Sequence, residues 1–177
     1  FGFSPNMVTI LGFLVVVGSA VLAGFGYLRL AGVVFLVGGA FDLFDGALAR
    51  LSNRVTPFGA LLDSLLDRLG EAALYVSLAI YAVHTGRYST DLLVYMILLI
   101  VALSSSQTVS YLRARGESLG VDTNVGILTR PERVVILAVG LILGGDTVPV
   151  VFGIISVLSL CTICTRLLHL WRSLRIG

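Results

Sequence analysis

Residues 92–112 read LLVYMILLIVALSSSQTVSYL, a run without a single formal charge. A bilayer's hydrocarbon core of about 30 Å needs about 20 mostly apolar residues in a helix, so this run predicts a membrane-spanning helix. Residues 1–28 and 147–165 are equally free of Asp, Glu, Lys and Arg. Three such windows in 177 residues, of which 57% are apolar and 12% charged, predict an all-α polytopic membrane protein and rule out an ordinary soluble domain. The same composition excludes disorder. Two cysteines exclude a disulfide framework, and a net charge of +2 excludes a nucleic-acid module.

Working outward, hydropathy predicts six transmembrane helices, at about residues 7–28, 30–50, 59–83, 92–112, 134–143 and 148–170, in a single membrane domain covering residues 1–177. The first run is too long for a signal-peptide core and lacks a basic leader, which marks it as a retained span with Ser4-Pro5-Asn6 as its polar lead-in. The chain starts at Phe1 and not at methionine, so the natural start is expected to have been processed or trimmed. A short turn-like connection at 51–58 makes the second and third helices antiparallel neighbours, and a longer polar segment occupies 113–131. Glycines such as Gly18, Gly24, Gly26, Gly38, Gly39 and Gly70 are expected to let helices approach closely.

Six spans place both termini on one side. That side would carry Arg50, Arg54, Arg113, Arg115, Arg130, Arg133, Arg172 and Arg175, against Arg29 and Arg87 opposite, so the positive-inside rule puts it in the cytoplasm and the protein in the cell's inner membrane. All twelve basic residues are arginines, which suits bidentate phosphate binding and equally suits a GC-rich genome.

Four of the seven aspartates fall between positions 42 and 67, where the second span ends and the third begins. An intramembrane carboxylate costs about 2.5–3.5 kcal/mol on insertion scales, so this concentration needs compensation by cations, partners or water. Asp42 and Asp45 are three apart and Asp63 and Asp67 four apart, so each pair shares a helix face. Two facing carboxylate pairs form an oxygen-rich cage whose natural occupants are hard divalent ions, Mg²⁺ or Mn²⁺. The structural alternative is that the aspartates pair with Arg50, Arg54 and Arg68.

Gly46 follows Asp45, Gly59 lies one turn before Asp63, and Arg50 and Thr56 stand at the mouth. The assembled string, Asp42-x-x-Asp45-Gly46-x-x-Ala49-Arg50, eight residues, Gly59-x-x-x-Asp63-x-x-x-Asp67, resembles the complete signature of the CDP-alcohol phosphotransferase family. The resemblance implies a six-helix homodimeric membrane enzyme that moves a phosphatidyl or similar group from a CDP-linked donor to an alcohol and releases CMP. It implies that Asp42, Asp45 and Asp63 hold divalent metal, and that Asp67 is the base and also touches the metal. Gly46 and Arg50 would hold the donor's diphosphate and nucleotide, with Thr56 and the stretch Pro5-Asn6-Met7-Val8 as further donor contacts.

The acceptor must be read outside this motif. Ser64 after Asp63 and Arg68 after Asp67 resemble the inositol-phosphate branch of the family more than its glycerol-phosphate branch, and so does Ser110-Tyr111-Leu112-Arg113-Ala114-Arg115-Gly116-Glu117 followed by Arg130-Pro131-Glu132-Arg133. The resemblance is to phosphatidylinositol-phosphate synthases and their archaeal analogues. It implies CDP-diacylglycerol as donor and a soluble phosphorylated polyol as acceptor, inositol 1-phosphate before glycerol 3-phosphate. Arg113, Arg115 and Arg133 match basic positions that grip the acceptor's phosphate, and Arg166 and Arg172 are further candidates. The alternative for these arginines is anchoring to lipid headgroups.

Cys161 and Cys164 lack a second ligand pair and are read as apolar thiols, while His84, His169, Tyr88 and Trp171 are read as interfacial. Glu71 is expected to hydrogen-bond to groups around the aspartates, and Arg68 to pair with it or serve a dimer contact. A transporter is the competing function, since acidic intramembrane clusters also build ion pathways. Against it, only Tyr75, Ser77 and Tyr81 continue the polar line along the third span beyond Glu71.

Overall fold

The computed structural model describes residues 5–51, 56–88, 90–123 and 125–176, with side chains described for 6–41, 56–88, 90–123 and 125–175. Among the described residues the chain forms six α-helices and no strand: α1 (Pro5–Gly24), α2 (Leu28–Leu51), α3 (Pro57–Thr85), α4 (Leu92–Ser118), α5 (Arg130–Leu143) and α6 (Val148–Ile176), with a short 3₁₀ turn at Gly145–Thr147. Among the described residues three stretches are long and apolar enough to cross a membrane, Asn6–Gly24, Leu92–Ser118 and Gly145–Arg175. Of the others, α3 carries Asp63, Asp67, Arg68 and Glu71 in its first half, α5, with 14 residues, is about 21 Å long at 1.5 Å per residue, and the apolar stretch Leu28–Phe41 of α2 runs to the limit of its described side chains.

Helix boundaries depart from hydropathy where backbone chemistry overrides it. The first span ends four residues early. Gly26, at φ +87°, takes the left-handed position; its amide bonds to Ala23 O at 3.0 Å and the Tyr27 amide to Leu22 O at 2.9 Å, a Schellman stop that assigns Leu28 to α2. α5 starts four residues before its apolar run because Thr129 and Glu132 form a capping box ahead of Pro131. Residues 113–118, expected to lie past the fourth span in a polar segment, continue α4 as regular helix.

α1 packs against both α2 and α3; α2 also meets α5, and α4 runs along α6. Three of the expected close approaches are clear, the tightest at Gly38, where a β-carbon would lie 2.6 Å from Val16 Cγ2. A β-carbon on Gly70 would lie 2.8 Å from Val16 Cγ1 on α1, and one on Gly39 would lie 2.8 Å from Val134 Cγ1 on α5. A β-carbon on Gly18 would meet nothing within 4 Å among the described residues of this chain. The buried core is aromatic at its centre, where Phe152 (α6) stacks on Tyr75 (α3) with centroids 5.4 Å apart and meets Tyr95 (α4) edge to face at 5.5 Å. At one end of the bundle Arg87 pairs with Asp146 at 2.8 Å and the Tyr88 hydroxyl donates to Gly145 O. The opposite end, where α3 and α5 begin, carries Asp63 and Asp67.

Candidate active site

The start of α3 is fixed by Thr56, whose hydroxyl accepts the Gly59 amide at 3.0 Å with proline in the first turn. A β-carbon on Gly59 would stand 2.9 Å from Asn6 Oδ1 and 3.0 Å from Thr56 Oγ1. Asn6, in the first turn of α1, and Thr56 therefore converge over a position that needs glycine, one turn before Asp63. Met7 is exposed and Val8 half-buried. Asp42, Asp45, Gly46 and Arg50 lie outside the residues whose side chains are described, as does the Pro5 side chain.

From Gly59 the helix presents Asp63, Asp67 and Glu71 at successive four-residue steps along one wall of a polar cavity of about 320 Å³. Ser110 and Arg113 of α4, Arg130 and Arg133 of α5 and Arg166 of α6 line its other walls. Arg130 Nη2 stands 2.6 Å from Asp67 Oδ1. Arg133 reaches Glu71 through Nε and Nη2, both at 3.3 Å, and its Nη2 also donates to Ser110 Oγ at 3.2 Å. Arg113 pairs with Glu117, one turn on, at 2.9 Å. Arg166 is 2% exposed, and its hydrogen bonds go to neutral carbonyls, Val125 O at 2.9 Å and Val109 O at 2.8 Å. That leaves a buried cation facing the cavity without a carboxylate hydrogen-bonded to it among the described residues.

The arrangement corrects several expectations. Arg115 is exposed and does not line the cavity. Because residues 113–118 are helical, the two positions from Arg113 to Arg115 turn about 200°, which places them on opposite faces of α4. Arg68 does not pair with Glu71; its Nη2 donates to Ser110 O at 3.2 Å, while Glu71 takes Arg133. Asp67 finds its cation in Arg130, not in Arg68. Arg130 is the site residue that sequence reasoning passed over. The signal lay in spacing, since Arg130 and Arg133 on one face of α5 match Asp67 and Glu71 on one face of α3, but it becomes readable only once the capping box places residue 130 inside a helix.

Residues 3–170 match the family model described as CDP-alcohol phosphatidyltransferase. The chain belongs to this family. It is 34% identical over 172 residues to the phosphatidylinositol phosphate synthase of Mycobacteroides abscessus, covering 94% of this chain and 76% of that one. It is 33% identical over 174 residues to the archaetidylinositol phosphate synthase of Methanothermobacter thermautotrophicus, covering 96% and 84%. The crystal structure of Mycobacterium tuberculosis phosphatidylinositol phosphate synthase with CDP-DAG bound superposes with a TM-score of 0.83 at 31% identity, over 96% of this chain and 87% of that one. The same synthase in complex with manganese and citrate gives 0.84, over 96% and 83%. As a CDP-alcohol phosphatidyltransferase the chain is a membrane enzyme and a transferase. The transport alternative is set aside, in keeping with the packing beyond Glu71, where Leu74, Tyr75 and Leu78 are fully buried in the core.

Proposed function

We propose that this transferase moves a phosphatidyl group from CDP-diacylglycerol to inositol 1-phosphate and releases CMP. The observation that carries the reading is the meeting of two chemistries in one cavity: carboxylates on α3 and, facing them, Arg113, Arg133 and Arg166 from three other helices. An acceptor that already bears a phosphate dianion gains charge-assisted hydrogen bonds from such a cluster, whereas serine or free inositol would gain little. The resemblance to synthases of phosphatidylinositol phosphate and archaetidylinositol phosphate favours inositol 1-phosphate over glycerol 3-phosphate, the second acceptor to be tested.

The donor set suits a hard divalent cation. Asp63 and Asp67 offer carboxylate oxygens one turn apart on one wall of the cavity, and Asp67 already meets a positive charge there. Asp42, Asp45, Asp63 and Asp67 would hold Mg²⁺ or Mn²⁺, which when bound neutralises the donor's diphosphate and eases departure of CMP. The remaining work belongs to the chain. Asn6 and Thr56, converging over Gly59, border the donor's path together with Pro5, Met7, Val8, Gly46 and Arg50. Arg133, Arg166 and Arg113 orient the acceptor by its phosphate so that a ring hydroxyl faces the donor. Asp67 accepts that hydroxyl's proton as the new phosphodiester bond forms.

The arginine-rich end of the bundle faces the cytoplasm in this reading, where a soluble acceptor meets a lipid-embedded donor, and the enzyme works as a homodimer in the inner membrane with residues 1–177 forming one domain. An acceptor panel with purified, reconstituted protein, CDP-diacylglycerol and Mg²⁺ tests it. CMP and a phosphorylated inositol lipid are expected with inositol 1-phosphate and not with free inositol; equal turnover of both overturns the phosphorylated-acceptor assignment.

A further inference from the structure

α5 lays its apolar length on α2 and α6, and reaches α3 through a two-rung ladder of ion pairs. Arg130 and Arg133, three apart on α5, meet Asp67 and Glu71, four apart on α3. The rungs differ in depth. The Arg130 and Asp67 side chains keep 26% and 15% of their exposure, while those of Arg133 and Glu71 keep 3% and 10%. A carboxylate this deeply placed is retained at a desolvation cost that only its partner offsets, so Glu71 and Arg133 hold each other in one geometry.

That geometry commits specific atoms. Nε and Nη2 of Arg133 are taken by Glu71, and Nη2 is shared with Ser110, whose own hydroxyl donates to Ser106 O at 3.3 Å. Among the described residues Nη1 alone has no partner, and Arg133 lines the cavity. We propose that Glu71, outside the family motif, is a positioning residue: by clasping one edge of the Arg133 guanidinium it presents the opposite edge to the acceptor's phosphate. The proposal rests on the acceptor pocket argued above. Glu71 itself never touches substrate; it acts through Arg133, and a phosphate binding there meets a preset donor in place of a freely rotating side chain.

Steady-state kinetics of the reconstituted enzyme, varying inositol 1-phosphate and CDP-diacylglycerol in turn, test this. Glu71→Gln is expected to raise the KM for inositol 1-phosphate at least tenfold and to leave the KM for CDP-diacylglycerol within threefold. In an Arg133→Gln background the same substitution is expected to change the acceptor KM by less than threefold, because the group it positions is gone. Glu71→Asp keeps the charge one methylene short and is expected to fall between wild type and Glu71→Gln; should Glu71→Gln fail to fold, Glu71→Asp carries the same comparison with a threefold or greater rise in acceptor KM. Equal shifts in both KM values, a fall in kcat alone, or a full additive effect in the Arg133→Gln background would reduce Glu71 to a structural residue and overturn the proposal. If Arg133→Gln leaves acceptor use unchanged, the pocket reading fails first; if Arg133→Gln weakens acceptor use and Glu71→Gln does not, the positioning role alone fails.

Discussion

Arg130 Nη2 lies 2.6 Å from Asp67 Oδ1, so the last aspartate of the family motif is held by a cation from a helix that the motif does not include. α5 thereby becomes part of the site's architecture. Its first turn supplies Arg130 and Arg133, and its apolar length fixes where that turn sits by packing on α2 and α6.

The first expectation concerns Asp67. Asp67→Asn keeps the side chain's volume and leaves Arg130 an amide oxygen to bond, but removes the proton acceptor. Transfer to inositol 1-phosphate is expected to fall by about 10²–10⁴, the usual contribution of a positioned base, with CDP-diacylglycerol affinity within about threefold. CMP release from the purified variant measures it, and near-normal turnover would remove the assigned role.

The second separates a buried arginine of the cavity, on α6, from an exposed one on α4. Arg166→Gln removes a buried guanidinium whose hydrogen bonds to a charged ligand are worth about 1.5–3 kcal/mol, so acceptor kcat/KM is expected to drop by about ten- to a hundredfold while the donor KM holds. Arg115→Gln, on the outer face, is expected to leave both within about twofold. A loss at Arg115 equal to that at Arg166 would mean that α4's helical phase past residue 112 is not what places the acceptor site.

Much of this was legible in the sequence, for physical reasons that also mark where it stopped. Hydropathy located every helix because apolar runs in a bilayer leave little choice of structure. It missed the ends at Gly26 and Thr129, which are set by one left-handed glycine and one capping box, and it ended the fourth helix at residue 112 because polar helix has no hydropathy signal. The spacing of Asp63 and Asp67 declared a shared face, and the cavity bears that out. The Arg130–Asp67 and Arg133–Glu71 pairs join residues 63 and 62 positions apart, and their partners depend on how α5 docks, which no local pattern records.

The third expectation concerns that docking. Thr129→Ala removes the cap of α5, an interaction worth about 1 kcal/mol, and is expected to lower thermal stability with little loss of donor affinity. Bonding from Thr129 holds the Glu132 carboxyl, ahead of the apolar run, below its ordinary range. A depressed carboxyl stabilises the fold above its unfolded pKa of about 4.3 and loses that contribution as pH falls through the depressed value. The wild type is therefore expected to lose part of its margin over Thr129→Ala below about pH 4, measured as the difference in melting temperature across pH. A constant difference would show that the cap carries no carboxylate linkage.

The last expectation tests the carboxylates as ligands apart from turnover. Chelation is expected to stop CMP release, and Mg²⁺ or Mn²⁺ to restore it, because oxygen donors from α2 and α3 are all hard and anionic. Binding itself is visible with Mn²⁺, whose free-ion spectrum disappears as it associates. Asp63→Asn converts one anionic ligand into a neutral amide and is expected to weaken Mn²⁺ association at least tenfold, whereas Glu117→Gln, which removes a carboxylate from the same cavity but from the α4 wall and from a pair with Arg113, is expected to leave it within about threefold. The contrast matters because both substitutions take one negative charge from the cavity. If the two weaken Mn²⁺ equally, the ion is held by the cavity's general field and the α3 carboxylates are not its ligands; if Asp63→Asn alone does so, coordination and not net charge sets the site.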